Sequence, residues 1–148
     1  MQNTYLYKPA DLLPHEPPLI LVDRIISLDK KGAVAVADIK PSWPLFHNGQ
    51  VPVIILIEAL AQVAGIWAGW KRISDDKTPP VGYLVGIKKA SFHADFINKG
   101  ASLEISTKVY VQRNNFIVMD CMGRLSGNKV LEACLQLVQA GDDSKGVK

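Results

Sequence analysis

The feature that most constrains this chain is an apolar run of twenty residues, VPVIILIEALAQVAGIWAGW, from Val51 to Trp70. The β-branched residues at its start leave helix and strand open by propensity alone. Twenty residues exceed an ordinary strand and fit a helix, and Pro52 suits a first helical turn, where its missing N–H removes no hydrogen bond. Because the run is apolar on all sides, we expect a long helix enclosed by the rest of the fold.

The same run is long enough to cross a bilayer, since about 20 apolar residues can do so. Glu58 and Gln62 lie near its centre, however, and ionisable groups are costly and rare at that depth. Alanines and glycines fill its second half, and amphipathic strands follow it. We therefore predict a core helix and no membrane span. The N-terminus lacks a charged start followed by an apolar core, so we expect no signal peptide and a cytoplasmic protein.

The rest of the chain provides strands for a sheet around that helix. Before the helix, LILVDRIISL and AVAVADI flank the turn DKKG and predict a hairpin. After it, VGYLVGIKKASFHADF predicts a long strand with a bend at Gly86. Three further segments joined by short turns predict an antiparallel meander: LEISTKVYVQ, FIVMDCMGRL and KVLEACLQLV. This order predicts an α+β fold in one domain, residues 1–148, with residues 141–148 as a flexible tail.

Composition and cysteine spacing argue against nucleic-acid binding and against a metal site. The chain has 17 basic and 14 acidic residues and a net charge of +3. No basic run is interleaved with aromatics, so we do not expect a nucleic-acid-binding protein. Cys121 and Cys134 lie outside any C-x-x-C spacing and no histidine cluster accompanies them, so we expect no metal site. Both fall in predicted strands, where a free cysteine usually behaves as a small apolar residue.

One carboxylate, Glu58, lies inside the apolar run, and Gln62 follows one helical turn later on the same face. Burial disfavours a charged carboxylate, and a group that exchanges its proton near neutral pH suits acid–base catalysis. The alternative is a structural carboxylate that bonds to Gln62 or to a neighbouring strand. Gln62 itself could orient Glu58, hold a water or satisfy a strand carbonyl.

Two further groups precede or begin the helix. His47 lies in the loop KPSWPLFHNGQ, and it is either an acid–base group or an exposed loop residue. The backbone N–H groups of Val53 and Ile54 have no acceptor inside the helix, so they could bind an oxyanion, aided by the helix dipole, or be satisfied by water or Asn48. The expected site consists of Glu58 and His47 as catalytic groups, with Gln62, Val53 and Ile54 binding substrate.

Three segments resemble the hotdog-fold β-hydroxyacyl-[acyl-carrier-protein] dehydratases of the FabZ and FabA type. LLPHEPPLILVDRI (Leu12–Ile25) is similar to that family's opening strand, and IEALAQVAG (Ile57–Gly65) to its helix motif Glu-Ala-x-Ala-Gln. GIKKASFHADFINKGASLEI (Gly86–Ile105) resembles its later strand pair. The compact loop before the helix looks most like the ApeP-type branch associated with aryl polyene lipid synthesis. The resemblance implies a hotdog fold, in which a curved antiparallel sheet wraps one long central helix.

The resemblance also implies an activity, the dehydration of a 3-hydroxyacyl thioester on acyl carrier protein to the trans-2-enoyl product. No cofactor is implied beyond the phosphopantetheine of the carrier. Family members pair a histidine of one subunit with the helix carboxylate of the other, in a site shared by a dimer. The carboxylate falls on Glu58. The nearest histidine is His47, eleven residues earlier, where the family spacing is slightly longer, and Pro52-Val53 stands where the family has Pro-Gly.

In this interpretation His47 removes the proton on C2, Glu58 protonates the departing hydroxyl through water, and Val53 and Ile54 bind the thioester oxygen. Two alternatives remain open. In related hotdog thioesterases the helix carboxylate activates water against the thioester carbonyl, and no histidine is required. A non-catalytic subunit would keep the acyl-binding groove and pair with an active dehydratase. The expected assembly is a homodimer, a higher oligomer or a hetero-oligomer with another hotdog protein.

Overall fold

The computed structural model describes residues 7–14, 19–75 and 81–140. Its helical elements are α1 (Pro9–Leu12), a 3₁₀ turn (Val53–Ile55) and α2 (Leu56–Ser74). Its strands are β1 (Arg24–Asp29), β2 (Gly32–Asp38), β3 (Gln50–Pro52), β4 (Val81–Phe92), β5 (Phe96–Asn98), β6 (Ser102–Arg113), β7 (Phe116–Leu125) and β8 (Asn128–Ala140). The predicted flexible tail, residues 141–148, lies outside the described residues.

Six strands form one antiparallel sheet in the order β1-β2-β6-β7-β8-β4. The β1–β2 hairpin and the β6-β7-β8 meander are those that the turn signals predict. The β2–β6 pairing, from Gly32↔Lys108 to Asp38↔Ser102, joins the parts of the chain before and after the long helix. Strand β4 consequently lies at the far edge beside β8. One long helix against this curved sheet confirms the predicted α+β hotdog architecture.

The bend predicted at Gly86 is present in β4. The register with β8 shifts twice, between Leu84 and Gly86 and again between Ile87 and Lys89. Such shifts mark a bulge or a similar irregularity, and a bulge adds a residue to one strand and increases the local twist. Gly86 lies between the two shifts, and a Cβ there would meet Oε1 of Gln136, the end of a flexible side chain that would have to move. The two shifts mark the bend at the β4 edge of the sheet.

Helix α2 packs on the inner face of the sheet. Leu60, Val63 and Ile66 on its sheet-facing side are fully buried. The indole N–H of Trp67, which is also buried, donates to the carbonyl of Asp29 at 2.7 Å and so ties the helix to the end of β1. The helix is long and apolar enough to span a membrane, but 72% of its most apolar window is buried inside this fold. That burial is what a core helix requires.

Several predicted boundaries are wrong for tertiary reasons. The strand predicted to run from Val81 to Phe96 ends at Phe92, because Phe96–Asn98 pairs with β3 as β5. The helix begins at Leu56 rather than Val51, because Gln50–Pro52 pairs with β5 as a separate two-stranded sheet and the next three residues form the 3₁₀ turn. The first strand begins at Arg24 rather than Leu19. The backbone at Leu19 instead bonds to a helix side chain, Gln62.

The end of α1 and the residue after it pack directly on the backbone of α2. They lie over two glycines one helical turn apart, Gly65 and Gly69. A Cβ at Gly69 would stand 2.7 Å from the carbonyl oxygen of Leu12, and one at Gly65 would stand 3.3 Å from Cδ2 of Leu13. The missing side chains therefore allow the N-terminal part of the chain to lie close to the helix.

Candidate active site

One face of helix α2 is not covered by the sheet. Ile54, Glu58 and Ala61 recur at three- or four-residue spacing, which places them along one side of the helix. Ile54 is 54% exposed, and the other two are half-buried. We call these three residues the open stripe. Glu58 is thus half-buried rather than enclosed, which corrects the expectation of a helix buried on all sides. The sheet wraps the helix only in part.

Gln62 lies beside the open stripe and is 1% exposed. Its amide nitrogen donates to Oε1 of Glu58 at 2.9 Å and to the carbonyl of Leu19 at 2.7 Å. Its amide oxygen accepts from the N–H of Leu21 at 2.8 Å. A glutamine amide has two N–H donors, and both are used here. Gln62 therefore orients Glu58 and satisfies a backbone carbonyl. Both of its N–H groups are occupied, so a contact with substrate would fall to the second lone pair of its amide oxygen, and its role as a substrate ligand stays a prediction.

His47 opens a tight turn just before the helix. Its N–H donates to the carbonyl of Gln50 at 2.9 Å, and the N–H of Gln50 donates back at 3.2 Å. Between them Asn48 and Gly49 have φ angles of 51° and 79°, the pattern of a type I′ turn. Asn-Gly is the strongest short sequence signal for such a turn, and the prediction of an irregular loop overlooked it. The turn leaves the His47 side chain exposed.

A second turn, with a strained backbone, precedes His47. The N–H of Phe46 donates to the carbonyl of Trp43 at 3.3 Å, and the buried indole of Trp43 anchors this turn in the core. Pro44 and Leu45 occupy its centre, and Leu45 has a φ of 64° with its side chain exposed. A non-glycine residue in this region costs of the order of 1–3 kcal/mol, and such residues cluster at functional sites. The strain lies in the loop that carries His47.

The two predicted oxyanion donors differ in their surroundings. The N–H of Val53 donates to the carbonyl of Asp95 at 2.9 Å, so it is already occupied. The N–H of Val53 is therefore not free to bind a substrate oxygen in this structure, and the role of Ile54 stays a prediction. Ile54 is the second residue of the 3₁₀ turn, a position for which the helix itself has no acceptor, and its side chain is the most exposed of the open stripe. Asp95 follows β4, and no sequence pattern connects it with the helix.

The cysteines lie on strands of the sheet, away from the open stripe. Burial raises the pKa of Cys121, with smaller contributions from Asp120 and Cys134. Desolvation also raises the pKa of the half-buried Cys134, with a second contribution from Asp120. Across residues 7–14, 19–75 and 81–140, no group of three or more His, Cys, Asp or Glu side chains could hold a metal ion.

Comparison with known proteins adds to this geometry. A family model described as ApeP-like, ApeP dehydratase, matches residues 7–147. A protein named 3-hydroxyacyl-[acyl-carrier-protein] dehydratase FabZ, from Syntrophotalea carbinolica, is 34% identical over 135 residues, which is 87% of this chain and 90% of the relative. A protein of the same name from a Nitratiruptor species is 31% identical over 134 residues, 84% of this chain and 90% of the relative.

Solved structures share the fold. The dehydratase heterocomplex ApeI:P from Xenorhabdus doucetiae contains a chain that is 22% identical, with a TM-score of 0.84 and coverage of 96% of this chain and 99% of that one. At such identity the likeness establishes the fold alone. The family match covers nearly the whole chain, however, and the two FabZ relatives are 34% and 31% identical over 87% and 84% of it. The resemblance inferred from the three sequence segments is therefore confirmed: the chain belongs to the ApeP-like dehydratase family.

Proposed function

We propose that this chain converts a 3-hydroxyacyl thioester on acyl carrier protein into the trans-2-enoyl thioester and water. The observation that carries the proposal is the carboxylate of Glu58, held by Gln62 on the one open face of an apolar helix. The FabZ relatives supply the substrate class through the reaction in their names. As the setting we propose aryl-polyene-type lipid synthesis in the cytoplasm, which is what the resemblance to the ApeP-type branch implies.

In the proposed reaction His47 takes the proton from C2, whose acidity the thioester raises. The electron pair of that C–H bond forms the C2–C3 double bond as the C3–O bond breaks. Glu58 gives a proton, through water, to the departing hydroxyl, which leaves as water. Positioned acid–base catalysis of this kind contributes typically about 10²–10⁴-fold. The N–H of Ile54, at the positive end of the helix, is the proposed donor to the thioester oxygen.

We place the reaction in a site shared by two copies of this chain. The side chain of His47 is exposed and Glu58 lies on the open stripe, so each is accessible to a second chain. Strand β4 supports self-association, since it is an edge strand with exposed Leu84, Val85 and Ile87. An exposed apolar edge strand is a template for pairing with another strand. A homodimer joined at this edge is the assembly that we propose.

The test follows conversion of a 3-hydroxyacyl carrier-protein thioester by mass spectrometry. Glu58→Gln and His47→Ala should each lower kcat about 100-fold or more while circular dichroism stays that of the wild type. Full activity in folded Glu58→Gln would overturn the proposed function. Full activity in His47→Ala would refute only the proposed role of His47 as the base.

Co-expression of the two inactive variants tests the shared site. Half of randomly assembled dimers contain both variants, and one of their two sites keeps both His47 and Glu58. Activity should therefore return to about a quarter of the wild-type value. Mixed dimers, isolated by two different affinity tags, that stay inactive would show that each site lies within one chain.

Product identity separates the alternatives. Release of a free thiol and a carboxylic acid would identify a thioesterase, a possibility that a structural neighbour keeps open. That neighbour is a hypothetical thioesterase protein with coenzyme A from Streptococcus pneumoniae, 16% identical, with a TM-score of 0.62 and coverage of 80% of this chain and 85% of that one. Activity only after addition of a second hotdog protein would identify a hetero-oligomer, the form named in the heterocomplex structure.

A further inference from the structure

We propose that the backbone at Leu19–Leu21, which we call the leading segment, acts through Gln62 to hold Glu58 in the orientation that dehydration needs. The inference rests on the proposed function, since it concerns the same carboxylate. It makes Gln62 a positioning residue. It also gives a catalytic purpose to a segment that lies about forty residues before Gln62 in sequence.

The leading segment decides which way the Gln62 amide faces. The N–H of Leu21 can only donate, and the carbonyl of Leu19 can only accept. The amide oxygen must therefore face Leu21, and the NH₂ group must face Leu19. A flipped amide would lose both bonds and place donor against donor and acceptor against acceptor. The second N–H of the correctly placed amide then points at Oε1 of Glu58.

Burial makes this arrangement rigid. Gln62 and Leu21 are almost fully buried, so water cannot replace a bond that either group loses. The amide consequently has one low-energy position. Glu58, in contrast, is a long, half-buried side chain on the open stripe. A hydrogen bond from a fixed donor disfavours the Glu58 rotamers that break it and so helps to hold Oε1 in place.

The leading segment is itself anchored on its other side. The next residues bind β2: the N–H of Asp23 donates to the carbonyl of Val36 at 2.8 Å. The carboxylate of Asp23 accepts from the N–H of Asp38 at 2.7 Å. The leading segment therefore connects the sheet to Gln62. The position of Glu58 is consequently set by the sheet as well as by its own helix.

Gln62→Glu tests the inference with the least change of shape. The new carboxylate still accepts from the N–H of Leu21, but when ionised it donates neither to Leu19 nor to Glu58. At pH 8 kcat should fall about 10–100-fold with KM within about twofold, because a displaced catalytic group costs rate rather than binding. As the pH falls the new carboxyl gains a proton, and its single O–H can donate to Glu58 or to Leu19. The ratio of variant to wild-type kcat should then rise.

Gln139→Glu is the matched control. Gln139 is also a buried glutamine, 5% exposed, and its amide nitrogen lies 3.5 Å from the carbonyl of Ala68, beyond the middle of α2. The same substitution there introduces a buried carboxylate without touching Glu58. Its kcat ratio should stay within about twofold of one and show no recovery at low pH. Recovery confined to Gln62→Glu would assign the effect to the bond with Glu58.

Gln62→Met, similar in volume and without donors, keeps the test decisive if the charged variant does not fold. Its kcat should fall as far and not recover at low pH. Unchanged kcat in either folded variant would overturn the positioning role. A wild-type protein without dehydratase activity, or a fully active Glu58→Gln, would instead overturn the proposed function, and the inference with it. The two failures are therefore distinguishable in one assay.

Discussion

Gly69→Ala should destabilise the protein, because the helix and the N-terminal part of the chain share the space that this glycine leaves. The added Cβ would stand 2.7 Å from the carbonyl oxygen of Leu12, whereas ordinary contacts begin at 3.4 Å, so that backbone must retreat by about 0.7 Å. Overpacking of this kind costs about 1–3 kcal/mol. Replacing glycine by alanine inside a helix stabilises the helix by about 0.5–1 kcal/mol. The net loss is about 1 kcal/mol, or roughly 2–4 °C in Tm for a domain of this size.

Gly65→Ala is the matched control one helical turn earlier. Its Cβ would meet only Cδ2 of Leu13 at 3.3 Å, the end of a flexible side chain that can move aside. The higher helix propensity of alanine should then outweigh the contact with Leu13. The free energy of unfolding should equal that of the wild type or exceed it by up to about 1 kcal/mol. Urea unfolding measures both variants, with unchanged m values expected. Equal stability of the two variants, or a more stable Gly69→Ala, would refute the packing argument.

Two further predictions concern titratable groups of the sheet. Desolvation, followed by Asp120, raises the pKa of Cys134, so iodoacetamide should alkylate it several-fold more slowly than free cysteine at pH 8, and Asp120→Asn should speed the reaction. Lys129 and then His93 lower the pKa of Glu132 in the folded protein below its value in the unfolded chain. The stability that this carboxylate provides is therefore fully present above the pKa of the unfolded chain, and it is lost as the pH falls through the pKa of the folded protein. The difference in unfolding free energy between wild type and Glu132→Gln should therefore vanish on acidification.

Peptide mass spectrometry checks the first of these two predictions, and urea unfolding at a series of pH values checks the second. Equal alkylation rates in wild type and Asp120→Asn would show that desolvation alone controls the thiol. A stability difference between wild type and Glu132→Gln that grows on acidification would reverse the sign of the proposed linkage.

Strands and helices with local sequence signals could be predicted closely, but the strands that lie beside them in the sheet could not. Strand β7 runs from Phe116 to Leu125 as predicted, because turn residues mark both of its ends. Alternation says which face of a strand is buried but not which strand lies beside it. The β2–β6 and β4–β8 pairings join distant parts of the chain, so the edge position of β4 followed only from the assembled sheet.

The features of the candidate site also divide into those with a local sequence signal and those without one. Glu58 and Gln62 could be found from sequence because two polar residues interrupt an apolar run at helical spacing. The Asn-Gly signal for the turn at His47 was also local. The occupation of the Val53 N–H could not be found, because its acceptor, the carbonyl of Asp95, comes from a bend after β4.

The sequence by itself determined that a long core helix would carry one carboxylate, since periodicity and burial are properties of neighbouring residues. Only the tertiary structure decided which face of that helix stays open. It alone decided that the backbone of Leu19 and Leu21 directs the Gln62 amide toward Glu58. The physical reason is that a hydrogen bond depends on where two groups meet in space, and packing across the whole chain brings these groups together.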